Sequence, residues 1–517
     1  MKLRDELHLV QGLILNGYTE RFLARYVVFE ITSPKAARHW LAEIVPEVQF
    51  GEFRRTPREA PPFLRDLCVN IAFSYAGFER LELHPTALAG FSLPFQEGLS
   101  EPNRARRLGD DGASDPTGWK WGKPGDAVHG VVAVFGGKGP AGYPPLSALN
   151  ASDAKHDESE IDEWLSLHFD ETRHGVRAIA TLAATPTNNK LRKEHFGFRD
   201  GIANPRLSGL ARAGAFDVIA DGEMLLGYSN GYSRLPLSPE VPVSSDHRRR
   251  LPPSADRPNR ADFGRNGSYL VFRQLEQDVA AFWRYVFEAK DTIPGLPGGL
   301  DGAEWLGSRF VGRWPNGTPV TRFPHREGPA RDDVENHFLY AETGDAYGDR
   351  CPIGSHIRRT NPRDTGLPVP HDPELSGTPY DEKVRTERVR LTNLHRLLRR
   401  GRSYGPPLDP RFDPEKMRFG KDTTERGLYF LCVCADLSRQ FEFVQSNWAL
   451  NPTFAGLGKD PDPLLAASRQ SPFPASTFTI QGCPTRRVHH LPRVVEARGG
   501  AYFFLPSRSA LEYLSAG

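Results

Sequence analysis

Within the first 185 residues, β-branched and aromatic runs alternate with helical periodicities in the order β-α-β-β-α-β, an order few folds accommodate. Residues 23–32 (LARYVVFEIT) read as a strand. Ser33-Pro34 then reads as an N-cap followed by proline at the first helical position. Ala37, Trp40, Leu41 and Ile44 follow at i, i+3, i+4 and i+7, one apolar helix face. Cys68 to Ser74 and His129 to Phe135 supply two more strands. Glu160 to Phe169 is a helix carrying Ile161, Trp164 and Leu165, and Arg177 to Ala184 is a fourth strand. The expected arrangement is ferredoxin-like, with two helices on one face of a four-stranded antiparallel sheet.

The order returns, less cleanly, after residue 267. Ser268 to Phe272 is a strand, and Val279, Phe282, Trp283 and Val286 mark the next helix. Leu428 to Ala435 is a long apolar strand, followed by a helix through Phe441, Val444 and Trp448. Ala501 to Leu505 is a last strand and Ser507 to Leu514 a closing helix. The expectation is an α+β protein of two ferredoxin-like domains. Residues 1–190 form the first, 191–266 a connecting excursion, and 267–517 the second, with a polar insertion near 364–394. No residue-level repeat links the halves, so this reading rests on element order. With 49 glycines and 45 prolines in 517 residues, long ordered loops are required between the elements. The proline-rich stretch 236–262 reads as an exposed excursion whose run His247 to Arg250 is a solvated loop face, and the Gly/Asp-rich stretch 99–125 reads as a loop.

Charge and cysteine content exclude several functions. With 66 basic and 64 acidic residues, nothing points to nucleic acid as a partner. No apolar run approaches the roughly 18 residues of a membrane helix. The N-terminus MKLRDELHLVQG lacks the apolar stretch of a secretory signal. Five cysteines without a Cys-x-x-Cys pair make neither a disulfide framework, nor a zinc ribbon, nor a thioether-linked haem site. Cys432 and Cys434, in an apolar run, fit buried free thiols. A cytoplasmic location is expected.

Two loops remain that can carry chemistry. The first, Glu194 to Pro205 (EHFGFRDGIANP), sets Asp200 between glycines beside Phe198. Glycines let backbone approach a ligand, and partial desolvation would raise the pKa of Asp200. Standing alone, it also reads as an ordinary Asp-Gly turn. The second, Cys351 to Arg363 (CPIGSHIRRTNPR), presents His356 from a constrained turn, and a lone histidine has a structural reading too.

Together these loops resemble the signatures of the dye-decolorising (DyP-type) haem peroxidases. The family's GxxDG motif is matched by Gly197 to Gly201. Its proximal-histidine segment CPxxAHIRRxNPR is matched from Cys351 to Arg363, with Ser355 in place of the usual alanine. LLRRGRSYG at 397–405 is similar to a third family segment, and VQGLILNGY and GGAYFFLP extend the likeness to both ends. The longer subclass, lacking a signal peptide, is the better match. The resemblance implies haem b, one per chain, between two ferredoxin-like domains, with His356 as axial iron ligand. Asp200 would shuttle a proton during peroxide cleavage, giving an oxyferryl intermediate, and Arg399 (Arg400 as fallback) would stabilise negative charge. Leu428 and Phe430 match the apolar distal wall, or plain sheet core. Asp462, with Asp460 and Asp436 as competitors, would orient His356.

The implied partners are hydrogen peroxide and an organic one-electron donor such as a dye or phenol, without nucleic acid or membrane; a homo-oligomer stays open. Trp448, Tyr404 and Tyr429 are relay candidates, each of which reads first as a packing residue. The alternatives are a haem-handling or haem-sensing protein without peroxidase turnover, and a structural protein without haem.

Overall fold

The computed structural model describes residues 2–516 apart from 52–66, 139–150, 185–191, 213–216, 247, 297, 332–334, 366–378, 422 and 466–475. Four strands of the first half, β1 (Arg21–Ile31), β2 (Cys68–Phe73), β3 (Gly130–Lys138) and β4 (Val176–Ala184), pair antiparallel in the order β2-β3-β1-β4. The second half repeats that order. Its β5 (Ser268–Gln277) and β8 (Gly427–Cys434) are central, the short β6 (Leu398–Arg399) and β7 (Arg402–Tyr404) line the outer edge of β8, and β9 (Val495–Leu505) pairs with β5. β9 also meets β2 at Phe504 and Phe73, which joins both halves into one nine-stranded sheet.

Period-2 alternation gives this sheet two buried faces. From β1, Leu23, Phe29 and Ile31 face one core, with Trp40 and Phe73, whereas Ala24, Tyr26 and Val28 face another, with Phe272 and Phe503. Helix α1 (Pro34–Ile44) buries Ala37, Trp40, Leu41 and Ile44, the face expected from the sequence. Ser33 occupies its N-cap position, but the side chain makes no capping bond. Helix α2 (Ala151–His168) begins well before the expected Glu160.

In the second half, α3 (Val279–Lys290) starts at Asp278, whose carboxylate accepts the Ala281 N–H. It packs on α4 (Gly299–Val311), a helix the sequence reading lacks. Around them Phe196, Phe198, Phe282, Trp283 and Phe310 form a separate aromatic core. A short α5 (His356–Thr360) follows, then α6 (Pro379–Asn393). The expected insertion near 364–394 is therefore helical over much of its length, and its residues 366–378 lie outside the described residues, as does His247. The stretch 99–125 differs as well. It contains a helix over Pro102–Leu108, and Asp110 is buried against Arg273. Among the described residues no helix is long and apolar enough to cross a membrane.

Candidate active site

The face of the sheet formed by β5, β8 and β6 roofs a cavity of about 260 Å³. Register explains which residues look into it. Phe430 lies opposite Arg273 and Leu428 opposite Leu275, so alternate positions of both strands share the face, and Arg399 on β6 extends it. The 194–203 loop, α5 and residues 464–465 supply more of the lining, and 108–114 close one end. Most of the wall thus comes from the second half of the chain.

His356 opens α5. Its N-cap residue Ser355, where the family carries alanine, donates a hydroxyl hydrogen bond to the Arg309 carbonyl and so ties the turn to α4. Arg359 anchors the other side, donating to the carbonyls of Trp448, Asn451 and Asp460, the segment that leads to Asp462. The sequence left three carboxylates open as partners of His356. Asp462 reaches it, with Oδ2 2.9 Å from Nδ1, while Asp460 bonds Thr477 and Asp436 the Arg439 amide. Asp462 Oδ1 accepts the amides of Leu464 and Leu465 at 2.9 and 3.1 Å, which fixes the carboxylate. Burial works against the His356 imidazolium, but the facing Asp462 outweighs it, so the histidine lies above its ordinary value. Burial likewise works against the Asp462 carboxylate, and His356 reverses that, leaving it below the usual range. An ionised carboxylate only accepts, so Nδ1 carries the hydrogen, and in the neutral imidazole the lone pair lies on Nε2.

Arg399 Nη1 donates to Asp200 Oδ1 at 2.7 Å. Arg400 turns away to the carbonyls of Leu13 and Ile14, so of these two arginines it is Arg399 that lines the cavity. The expected upward shift of Asp200 is not found. Burial does raise it, but the adjacent guanidinium and the Gly201 amide bring it below the ordinary 3.8. Asn204 locks the arginine backbone from both directions: its Oδ1 accepts the Arg399 N–H at 3.0 Å and its Nδ2 donates to the Arg399 carbonyl at 3.2 Å. Neither Asn204 nor the Asp110–Arg273 pair was singled out from the sequence, because these contacts join distant segments.

The lining suits a flat, largely apolar macrocycle bearing carboxylates. Leu428, Phe430, Leu464, Ile357, Phe441 and Val444 are apolar, Arg313 and Arg363 are basic, and both amide atoms of Asn361 are buried there without a protein partner. A histidine with one nitrogen held by a carboxylate and the other unprotonated is the donor expected for haem iron. The residues present fit haem. Of the relay candidates, Tyr404 and Tyr429 stack at 4.5 Å in the core behind the cavity wall, while Trp448 is half-buried against His395 and Phe443.

The sequence profile of the DyP dimeric alpha+beta barrel domain matches residues 9–141. A multifunctional dye peroxidase of an Amycolatopsis species is 30% identical over 422 residues, covering 75% of this chain and 80% of that protein. A dye-decolorizing peroxidase of Auricularia auricula-judae is 28% identical over 517 residues, covering 97% and 85%. Among solved structures, an ancestral D-type dye decolorizing peroxidase superposes with a TM-score of 0.73 at 26% identity, over 99% of both chains.

Proposed function

The chain belongs to the dye-decolorising peroxidase family and is a haem peroxidase, and from that premise we propose how its own residues divide the work. The observation that carries the proposal is one cavity joining two charge pairs, His356–Asp462 and Asp200–Arg399. His356 would hold the iron of haem b, one haem per chain, through Nε2, and Asp462, by accepting the Nδ1 hydrogen, makes that nitrogen more electron-rich. Leu428, Phe430 and Arg399 complete the binding surface. Bound haem supplies a metal that takes two oxidising equivalents from hydrogen peroxide and returns them singly to an organic donor.

Asp200 works from its ionised form, since Arg399 holds it below the usual range. Its carboxylate can take the proton from one oxygen of hydrogen peroxide and hand it to the other, the proton movement that heterolytic O–O cleavage on bound haem would require. A weakly basic carboxylate gives the proton up readily, which suits the second half of that transfer. Arg399 Nη1 meanwhile faces the charge that develops on the departing oxygen. Dyes, the substrates in the names of the relatives, and phenols are the donors we assign. The five cysteines, none of them in a disulfide, agree with a cytoplasmic location.

The test is the visible spectrum of haem-loaded protein together with peroxide-dependent dye oxidation, in wild type and in His356→Ala. Loss of the Soret band in the variant is expected. A variant with wild-type haem content and band position would remove His356 from the axial role.

A further inference from the structure

The turn leading to Asp200 closes around a single carboxylate. Glu194 Oε2 accepts the Phe196 N–H at 2.9 Å, and Oε1 accepts the Phe198 N–H at 3.0 Å. A third donor comes from outside the turn: Gln277 Nε2, at the end of β5, reaches Oε2 at 2.8 Å. The backbone closes the same loop, with the Glu194 amide on the Phe198 carbonyl at 3.0 Å and the Gly197 amide on the Glu194 carbonyl at 2.9 Å. Its two carboxyl oxygens between them accept all three converging N–H groups. The turn is fixed laterally too, since Phe196 packs on Phe282 and Phe198 stacks on Trp283, both from α3.

This carboxylate has consequences across the sheet. β5 pairs with β8, and β8 pairs with β6, which carries Arg399. The link from Glu194 through Gln277 therefore ties the loop bearing Asp200 to the strands bearing its partner. On the far side of Asp200, Asn204 makes a second tie, to the Arg399 backbone. The 2.7 Å contact between Asp200 and Arg399 sits between these two attachments.

We propose that Glu194 is a positioning residue of the peroxidase reaction, its carboxylate holding the Asp200 loop against β5 and so setting the Asp200–Arg399 contact. This rests on the reading of Asp200 given above. Burial places Glu194 high for a carboxylate, at about 7, and its N–H donors keep it from rising further. The charged groups around the pair are Arg399, His356 and Glu194 on the Asp200 side, and Asp200 and Lys193 on the Glu194 side.

A double-mutant cycle on the haem-loaded enzyme decides the matter, with Glu194→Ala and the isosteric Glu194→Gln each combined with Asp200→Asn. The reaction with peroxide is followed by stopped flow. A displacement of about 1 Å is enough to cost on the order of 10²-fold, so Glu194→Ala is expected to lose roughly 10- to 100-fold and Glu194→Gln less. In the Asp200→Asn background the same changes should cost under about threefold, because there is no carboxylate left to misplace. Loosening the Arg399 contact also lets Asp200 rise, so the acid limb of the rate profile should move to higher pH in Glu194→Ala. Amide exchange of residues 192–200 should quicken while the Soret band stays as in wild type. A Glu194 effect that multiplies with that of Asp200→Asn would show independent action and overturn the proposal, as would wild-type rates in both Glu194 variants. If Asp200→Asn alone reacts normally, the role given to Asp200 fails instead. Should the alanine variant not fold, the glutamine cycle carries the same outcomes.

Discussion

Asp200 and Arg399 touch, yet their pH signatures should separate their roles. Asp200 is depressed below 3.8, so its basic form is present above that value and is lost as pH falls through the lowered one. The wild-type reaction with peroxide should therefore keep its rate through mildly acidic pH and fall only at strongly acidic pH. Asp200→Asn should be slower by about 10²–10⁴-fold and should lack that acid limb. Arg399→Leu removes the positive charge that faces the departing oxygen, at a cost of about 10²–10³-fold. It also frees Asp200 to rise, so its acid limb should appear at higher pH than in wild type. Stopped-flow rates across pH check both; an unaltered limb in Asp200→Asn would assign the limb to another group. Glu194 gives a further prediction of opposite sign. Its folded value is raised from 4.5 to about 7, so the folded state binds the extra proton and this group makes stability fall as pH rises through that window. Glu194→Gln should lose that slope, worth roughly 1–3 kcal/mol between the two limits, in denaturant titrations at several pH values. Little of this was legible beforehand. Asp200 was found through a motif, but its downward shift comes from Arg399, 199 positions away, and Glu194 lies 83 positions from Gln277.

At the level of elements, Gly427 shows how tightly the cavity roof is built. It opens β8, and a Cβ there would meet the Leu275 carbonyl oxygen of β5 at 1.9 Å. Neither strand can yield without moving Leu428 and Phe430 off the roof. Gly427→Ala should cost at least about 2–4 kcal/mol and reduce haem content in parallel, measured by thermal unfolding and the Soret band. Full haem content in a destabilised variant would mean that the roof tolerates displacement. Long strands with sustained alternation, such as β1 and β8, were legible in the sequence because burial on both faces demands apolar runs. The edge strands β6 and β7 were not, being only two and three residues long and held by pairing to β8 rather than by their own pattern. Helix α4 was missed for another reason. Its glycines read as punctuation, yet Gly307 lies where a Cβ would come within 3.3 Å of Trp283 and 3.4 Å of Phe198, so it is a packing residue inside a helix.

Across the whole molecule, the two ferredoxin-like halves share more than a connecting chain. The backbone seam is narrow, with Phe504 of β9 opposite Phe73 of β2, but the side chains around it are not. Phe504 lies 5.3 Å from both Phe91 and Tyr269, ring centre to ring centre, and also contacts Phe78 and Phe95, so rings from both halves fill one continuous core. Such a core is apolar and fully buried, unlike the small polar contacts that let domains move independently. The halves are therefore expected to unfold together although each has a complete fold of its own. Truncating Phe504 to alanine removes the ring at the centre of this cluster and should cost roughly 3–5 kcal/mol. In differential scanning calorimetry the wild-type protein should give one transition, and Phe504→Ala should either lower it as a whole or split it into two. The alternative makes a different trace: if the halves were independent, wild type would already show two transitions and the substitution would move each by no more than its own share. A wild-type scan with two separated peaks, unshifted relative to one another by Phe504→Ala, would refute the shared core as the unit of stability.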